Sequence, residues 1–313
     1  MEARNTVFVF PGQGSQVLGM GQALAQTYHI ARMVFAQADE ILGFALTRLA
    51  WYGPEEQLND TYNTQPALLA HSVAVLRVLE EKFPHFEPAF VAGHSMGELS
   101  ALVAAGALPF PDALRLARQR GAAMKQAGET HPGGMAAIMG LDIAALEQVC
   151  AQASTDDEIV QVANDNCPGQ VVISGATAAL ERALQLAQAA GARRAVRLPV
   201  SIAAHSPLMA PAQAAFNQAV AAAPISDPRI PIIGNVHARP LTSAAEIRAD
   251  LQAQLTHRVR WSETVQYLTA QGVTTFLELG SGSVLTGLIK RVDKSAQAFP
   301  LGTPEDFAKL PAL

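Results

Sequence analysis

The stretch FVAGHSMGELSALVAAGAL, residues 90–108, decides the fold. Phe90–Ala92 is a short apolar run typical of a buried strand, and Glu98–Leu108 is an alanine-rich segment typical of a helix. Gly93–Gly97 joins them and fits the pattern G-x-S-x-G, whose glycines allow a sharp turn that projects a serine hydroxyl at the carboxyl end of a sheet. We therefore predict a strand, a tight turn carrying Ser95, and a helix.

The same alternation of strands and helices recurs on both sides of this stretch. The predicted elements are a strand at Val7–Phe10 with a turn over residues 11–15, a helix at Gln65–Phe83 with Pro66 in its first turn, a helix at Asp112–Ala127, a strand at Phe276–Leu279, and a helix at Val284–Arg291. Strands that alternate with helices favour a parallel sheet covered on both faces. The predicted class is α/β.

The pattern changes between about residues 132 and 200. It predicts strands at 135–139, 159–164, 170–174 and 195–200 and helices at 143–153 and 177–190. That order, βαββαβ, is typical of a ferredoxin-like unit. We therefore predict an inserted ferredoxin-like subdomain over residues 131–199, and a catalytic core formed by residues 1–130 and 200–313.

Composition excludes several classes of function. Half of the 313 residues are apolar, 16% are charged, and the formal net charge is −5. A chain of this kind buries a sizeable core but has no excess of Lys and Arg to neutralise phosphates, so we expect no nucleic-acid partner. No apolar run approaches the roughly 20 residues that span a bilayer, so we expect no membrane partner.

Cysteine usage bears on cofactors and location. The sequence has two cysteines, Cys150 and Cys167, which are too few for a disulfide scaffold and lack metal-ligand spacing. No metal and no cofactor is expected. The start of the chain has no basic and apolar signal-peptide pattern, so the expected location is the cytoplasm.

Ser95 has two interpretations. It is either the nucleophile of an acyl-transfer site or a helix-capping serine in a glycine-rich turn. As a nucleophile it gains from the following helix, whose unpaired N–H groups and positive dipole end favour an oxyanion. The Met96 N–H is the natural first donor, and the turn around Gln13 is placed to give a second. A phosphate-binding loop at residues 12–15 is a weaker alternative.

A serine nucleophile needs a base within hydrogen-bond reach. Among eight histidines, the chief candidate is His205, because it lies where the chain returns from the inserted unit and such crossings border clefts. His94 adjoins Ser95 in sequence, but neighbouring side chains diverge at such a turn, which favours a structural role. His237 and His257 remain further candidates for the base.

Arg120 lies on an apolar helix face. It shares that face with Ala113, Ala117 and Met124, so its charge needs an anionic partner. An internal carboxylate, such as Glu98 or Asp112, is one possibility. The other is a substrate carboxylate held by the planar guanidinium group.

Taken together, these residues resemble the acyltransferase family typified by malonyl-CoA:acyl-carrier-protein transacylase. The resemblance is carried by residues 10–16, 64–67, 93–98, 120–121 with 124, 166 with 168–175, 201 with 205–206, 235, 254 and 278–287. It spans nearly the whole chain and implies an α/β-hydrolase-like core with an inserted ferredoxin-like subdomain. Two positions depart from the family pattern: Met96 stands where Leu, Val or Ile is common, and His257-Arg258 follow Gln254 where Asn-Pro or Ser-Pro is frequent.

The resemblance implies transfer of a malonyl group from malonyl-CoA to the phosphopantetheine thiol of an acyl carrier protein, by a ping-pong route. The implied site residues are Ser95 as nucleophile, His205 as general base and acid, Gln13 and Met96 as oxyanion donors, and Arg120, Gln254, Asn166 and Asn235 as substrate-binding residues, with Gln254 also orienting the histidine. Carrier proteins are usually acidic, so Arg193, Arg194, Lys290 and Arg291 are candidates for the docking surface. Lys290 and Arg291 have an equal second interpretation, as basic residues that complement the C-terminus of their own helix.

Three alternatives remain at this point: an esterase or thioesterase of the hydrolase class, a trans-acting transferase that uses another acyl-CoA, and a non-catalytic docking module. Hydrolases of that class keep their histidine near the C-terminus after an acid, whereas 108 residues (313 minus 205) follow His205. A hydrolase would also leave Arg120 unexplained.

Overall fold

The computed structural model describes residues 2–310, which form two sheets surrounded by helices. The strands are β1 Thr6–Phe10, β2 Phe90–Gly93, β3 Gly133–Met139, β4 Val160–Cys167, β5 Gln170–Ala176, β6 Arg194–Arg197, β7 Ile232–Ile233, β8 Pro240–Leu241, β9 Thr275–Leu279 and β10 Gln297–Leu301. The helices are α1 Gln22–Thr27, α2 His29–Leu42, α3 Leu46–Tyr52, α4 Glu55–Asn59, α5 Thr61–Lys82, α6 Gly97–Ala104, α7 Phe110–Thr130, α8 Ile143–Ala153, α9 Thr177–Ala189, α10 Ala210–Ala222, α11 Ala244–Gln254, α12 Trp261–Ala270, α13 Val284–Val292 and α14 Pro304–Lys309.

The larger sheet has the strand order β10-β9-β1-β2-β7-β8. Its first five strands are parallel, and β8 pairs antiparallel with β7. In the register, Phe10 lies opposite Gly93, and Val9 lies opposite Glu278. The carboxyl ends of β1, β2 and β9 therefore meet at one edge, where ligands of open α/β sheets bind.

Helices cover both faces of this sheet. On one side α5 and α6 lie deep in the core, and all eight residues of α6 are buried. On the other side α12 and α13 pack against β9 through Trp261, Leu285 and Phe276. The α/β class with a parallel sheet is confirmed, and the three-layer arrangement follows from apolar strands that must be covered on both faces.

Helix α5 begins four residues earlier than the sequence predicted. Asp60 caps it by accepting a hydrogen bond from Tyr62 N–H, so Pro66 lies in the second turn and not in the first. A proline there cannot donate to the carbonyl four residues back, which is that of Tyr62. Arg118 Nη1 donates to the Tyr62 carbonyl instead, at 2.7 Å.

The smaller sheet is antiparallel, with the order β4-β5-β3-β6. Helices α8 and α9 pack on it through a separate apolar cluster. The predicted ferredoxin-like unit is confirmed, because the order β3-α8-β4-β5-α9-β6 with β3 and β5 central is the arrangement of that fold. Its last strand ends at Arg197, three residues before the predicted end.

A short backbone connection joins the two sheets. Asp165 N–H donates to the Val259 carbonyl at 2.9 Å, and Val259 N–H donates to the Ala163 carbonyl at 2.8 Å. Val259 follows the end of α11 by five residues, so strand β4 of the smaller sheet is fixed directly beside the carboxyl end of α11. This contact sets where the smaller unit stands relative to the catalytic edge.

Candidate active site

Ser95 lies in a tight turn between β2 and α6. Its backbone φ is 54°, in the left-handed region that non-glycine residues rarely adopt. A Cβ atom at Gly93 would collide with the backbone of Gly97, and one at Gly97 would collide with the Phe10 carbonyl. Glycine is therefore required at both positions for the turn to close against β1, and the strained turn projects the Ser95 hydroxyl from the sheet edge.

His205 contacts the Ser95 hydroxyl. The distance from Ser95 Oγ to His205 Nε2 is 2.8 Å, although 110 residues separate them in sequence. His205 Nδ1 lies 2.9 Å from the Gln254 carbonyl and 3.1 Å from the His257 carbonyl. Because carbonyls only accept, Nδ1 carries the proton, and Nε2 presents its lone pair to Ser95.

Burial keeps this imidazole neutral. His205 is 2% exposed. Desolvation, followed by the nearby Arg120 charge, lowers the pKa of His205 from 6.5 to about 3. A neutral imidazole with a free Nε2 is the form that accepts a proton from a serine hydroxyl.

Arg120 lies on the other side of Ser95. Its Nη2 donates to Ser95 Oγ at 3.1 Å and to Gln254 Oε1 at 2.8 Å. Its Nη1 donates to Gln65 Oε1 at 2.9 Å and contacts Met124 Sδ at 3.3 Å. The side chain is 2% exposed, and burial lowers the pKa of Arg120 to about 10, so it stays charged at neutral pH.

Arg120 makes no ion pair with any residue in the range 2–310. Of the two carboxylates considered from sequence, Asp112 pairs with Arg115, and Glu98 acts on Arg120 only at longer range. The Nη groups of Arg120 meet only neutral acceptors, and its Nε has no partner among residues 2–310. A buried cation without a counter-charge is costly, so the site is built to receive an anion.

The predicted oxyanion donors lie at the same edge. Neither Met96 N–H nor Gln13 N–H donates to another residue of the described chain, which leaves both available. The Gln13 side chain is linked to Arg120 through hydrogen bonds of Thr61 and Gln65. Gln13 Oε1 accepts from Thr61 Oγ1 at 2.7 Å, and Gln65 Nε2 donates to the same hydroxyl at 2.9 Å.

Asn235 lies under the turn and not in the open site. Its Oδ1 accepts from Ser95 N–H at 2.8 Å, and its Nδ2 donates to the Gly93 carbonyl at 2.8 Å. It is 3% exposed. These contacts hold the turn closed, so the predicted substrate-binding role of Asn235 stays a prediction, and its observed contacts are those of a turn-supporting residue.

Asn166 and His94 form a separate contact. Asn166, on β4, accepts from His94 Nε2 at 2.9 Å, and the His94 ring packs edge-on against Trp261. His94 thus points away from Ser95 toward the smaller sheet, as its place beside the elbow serine predicted. Burial lowers the pKa of His94, which therefore serves as a neutral link between the two sheets.

Of the two unusual residues after Gln254, His257 acts through its backbone, and the Arg258 side chain pairs with Glu147 at 2.7 Å. The His257 carbonyl accepts from His205, whereas the His257 side chain is exposed and contacts the Ala253 carbonyl at 2.8 Å. Side-chain identity at position 257 is therefore not what holds His205. Met96, the other departure, is fully buried.

Sequence reasoning assigned no role to Gln65 and Asp250, and it considered Glu98 only as an internal partner of Arg120. Gln65 holds Arg120, and Glu98 accepts from both Asn235 and Gln254. The spacing of Asp250 and Gln254, four residues apart on α11, places both on one helix face and was a signal that could have found Asp250.

A cleft of about 790 Å³ lies between the smaller sheet and the segment that follows α11, and its lining includes His257 but not Ser95, His205 or Arg120. Gln161, on β4, lines it and donates to the His205 carbonyl at 2.8 Å and to the Thr256 carbonyl at 3.2 Å. The smaller unit therefore holds the histidine loop directly, and His205 adopts a left-handed φ of 59° there.

No helix within residues 2–310 is long and apolar enough to cross a bilayer. No group of three or more His, Cys, Asp or Glu side chains in the same range is arranged to hold a metal ion.

Comparison with known proteins connects this geometry to a family. The family model described as the acyl transferase domain matches residues 7–303. This chain belongs to the acyl transferase family. The malonyl CoA-acyl carrier protein transacylase of Haemophilus influenzae is 47% identical over 96% of each chain, and that of Bacillus subtilis is 46% identical over 95% of this chain and 93% of its own.

Solved structures of the family agree. The malonyl-CoA:acyl carrier protein transacylase of Xanthomonas oryzae aligns with a TM-score of 0.95 at 46% identity over 98% of each chain. A malonyl-transacylase in complex with its type II polyketide synthase acyl carrier protein aligns with a TM-score of 0.94 at 43% identity over 97% of each chain. The acyl transferase fold thus extends over almost the full length of this chain.

Because burial holds the pKa of His205 near 3, we predict that its imidazole stays neutral from pH 8 to pH 5. The ring ¹⁵N shifts in an NMR titration should then remain those of the Nδ1–H tautomer, and a His205→Gln variant identifies the signal. A titration midpoint near the ordinary value of 6.5 would contradict the arrangement.

The lowered pKa of His205 also implies that the free energy of unfolding falls as the pH drops from 6.5 toward 3, because the unfolded chain binds a proton that the folded site excludes.

Proposed function

We propose that this acyl transferase moves a malonyl group from malonyl-CoA to the phosphopantetheine thiol of an acyl carrier protein through a malonyl ester on Ser95. The observation that carries the proposal is the position of the Ser95 hydroxyl between a neutral base and an unpaired cation. Ser95 Oγ lies 2.8 Å from His205 Nε2 and 3.1 Å from Arg120 Nη2. The names of the relatives support the same substrate and acceptor.

In the first half-reaction, His205 Nε2 takes the Ser95 proton as Oγ attacks the thioester carbonyl of malonyl-CoA. The carbonyl oxygen becomes an oxyanion that accepts from the N–H groups of Gln13 and Met96. The tetrahedral intermediate then collapses. The bond between carbon and sulfur breaks, and protonated His205 returns its proton to the departing thiolate of coenzyme A.

In the second half-reaction, the carrier's phosphopantetheine thiol loses its proton to His205 and attacks the ester carbon. Ser95 leaves with that proton, which restores the free enzyme. The carbonyls of Gln254 and His257 hold the Nδ1–H of the histidine in both directions, so the same nitrogen, Nε2, transfers every proton. The proposed cycle uses no metal and no cofactor.

Arg120 supplies the selectivity in this scheme. The carboxylate of a malonyl group is separated from the ester carbon by one methylene, within reach of a guanidinium that lies 3.1 Å from Ser95 Oγ. An acetyl group would leave the buried charge unpaired. Gln65 and Gln254 hold two of the guanidinium nitrogens and so fix the direction in which the group points.

The carrier surface remains part of the proposal. Arg194 begins the last strand of the smaller sheet, directly after Arg193, and lies opposite Met139, which pairs in turn with Gln170. Arg291 donates to the Gln170 side chain. Arg193, Arg194 and Arg291 are therefore near one end of the smaller sheet, where their exposed charges can attract an acidic carrier. We place the reaction in the cytoplasm, in keeping with two free cysteines.

The alternatives explain less of the site. A hydrolase has no use for a buried cation 3.1 Å from its nucleophile, and a docking module has no use for a strained serine with a base. A transferase for uncharged acyl groups would bury Arg120 without a partner. Of these functions, only malonyl transfer uses the Ser95 hydroxyl, the His205 base and the Arg120 cation together.

The ester on Ser95 is the first test. Incubation with malonyl-CoA and no carrier should add the mass of one malonyl group to the protein, and addition of a phosphopantetheine-bearing carrier should remove it. Ser95→Ala should show no adduct. Ser100→Ala, which removes a buried hydroxyl of α6 that has no partner within residues 2–310, should behave like the wild type. An adduct that water removes as fast as carrier does would indicate a hydrolase.

Arg120→Ala tests selectivity. Loss of a buried, hydrogen-bonded charge pair is worth about 2–5 kcal/mol, so kcat/KM for malonyl transfer should fall roughly 30- to several-thousand-fold. Acetyl transfer should change far less. Arg118→Ala is the matched control, because Arg118 lies on the same helix but faces Tyr62 and Asn63. Equal losses for both acyl groups would remove the role assigned to Arg120.

A further inference from the structure

Glu98 is buried directly beneath the Ser95 turn. It lies in the first turn of α6 and is 0% exposed. One of its oxygens, Oε2, accepts from Asn235 Nδ2 and from Gln254 Nε2, each at 2.6 Å. Neither contact involves the reacting atoms, but each involves a residue that touches Ser95.

These two contacts fix the orientation of both amides. With Nδ2 on Glu98, Asn235 must present Oδ1 to the Ser95 N–H, at 2.8 Å. With Nε2 on Glu98 and on the Ser95 carbonyl, Gln254 must present Oε1 to Arg120 Nη2, at 2.8 Å. Rotation of either amide by half a turn would place N–H groups against N–H groups. Glu98 therefore determines that the Ser95 N–H and Arg120 Nη2 each face an amide oxygen.

A second carboxyl group, that of Asp250, lies next to Glu98, because both bind Asn235: Glu98 through the side-chain amide and Asp250 through the backbone N–H. Asp250, on α11, accepts backbone N–H groups from Asn235 at 3.2 Å and from Val236 at 3.3 Å. The other oxygen of Glu98, Oε1, is buried and has no donor among residues 2–310. Two ionised carboxylates in this space would repel each other, so the two groups hold one proton between them.

The hydrogen bonds favour that proton on Glu98. The charged groups that face Glu98 are Asp250 and Arg120, and His237 faces Asp250 on its other side. Burial, then the Asp250 charge, raises the pKa of Glu98 well above its usual range, while the Arg120 charge opposes that shift. Burial raises the pKa of Asp250 as well, but both Asp250 oxygens accept backbone N–H groups, whereas Glu98 Oε1 has no donor among residues 2–310 and is free to carry a proton.

We propose that Glu98 is a positioning residue that carries a proton, donates it in a hydrogen bond to Asp250, and orients the Asn235 and Gln254 amides toward Ser95 and Arg120. A neutral Glu98 has a consequence for specificity. It gives Arg120 no internal counter-charge in contact, so the guanidinium keeps its charge for the acyl group. That consequence rests on the proposed malonyl transfer, whereas the protonation does not.

The test compares Glu98→Gln with Glu98→Ala. Glutamine has the shape of a protonated glutamate: its oxygen can accept from both amides and its NH₂ can donate to Asp250. Glu98→Gln should therefore keep kcat/KM within about threefold of the wild type and keep the preference for malonyl over acetyl. Glu98→Ala frees both amides and should lower kcat about 100-fold, the usual effect of a displaced reacting group.

Infrared difference spectroscopy provides a readout independent of turnover. The wild type at neutral pH should show the carbonyl stretch of a protonated carboxylic acid, which shifts in D₂O and is absent in Glu98→Gln. Glu278→Gln is the matched control, because Glu278 is equally buried but accepts two N–H groups of α13, and the band should survive this change.

Two results would overturn the inference. The first is a wild-type spectrum that lacks a carboxylic-acid band, or a band that persists in Glu98→Gln. The second is a fall in kcat for Glu98→Gln as large as that for Glu98→Ala. Because the spectrum requires no substrate, failure of the proposed malonyl transfer would leave the band in place. The two failures are therefore distinguishable.

Discussion

The left-handed backbone at Ser95 is the constraint on which the rest of the site depends. A serine at a φ of 54° is unfavourable on its own, and it persists because the surroundings leave no other conformation. Gly93 and Gly97 bring α6 against the end of β1, and Asn235 holds the turn from below through the Ser95 N–H. The hydroxyl is thereby fixed at the sheet edge before any substrate arrives.

From that turn a single polar network extends through the protein. Its members are Gln13, Thr61, Gln65, Arg120, Gln254, Glu98, Asn235 and Asp250. A buried network of this kind is stable when its groups are satisfied, and here the amide groups of Gln65, Gln254 and Asn235 are held by their neighbours. Two of its atoms, Glu98 Oε1 and Arg120 Nε, have no partner among residues 2–310. The charge of Arg120 meets only neutral acceptors, which supports the proposal that this cation binds the carboxylate of the acyl group.

Local sequence was enough to predict much of the fold. The G-x-S-x-G turn is a contiguous pattern, and the βαββαβ order of the smaller unit follows from alternating periodicities within seventy residues. Arg120 could be singled out because helical spacing placed it among alanines.

By contrast, the contact between Ser95 and His205 joins residues 110 positions apart, so the sequence could only indicate a loop. Glu98 and Gln65 have no local signature, because their roles depend on which way an amide points in the folded protein. Pro66 was predicted in the first turn of its helix because proline is favoured there. The structure places it in the second turn, where Arg118 donates to the carbonyl that the missing proline N–H would have bound, and this contact could not be predicted from local sequence.

The central claim is that one crevice holds the nucleophile, the base and an unpaired cation for the acyl group. A crystal structure of the malonyl-enzyme measures this directly. We predict an ester on Ser95 Oγ, its carbonyl oxygen between the N–H groups of Gln13 and Met96, and its carboxylate on the Arg120 guanidinium in a bidentate contact. An ester whose carboxylate points to solvent, with Arg120 still bound only to Gln65 and Gln254, would contradict the account.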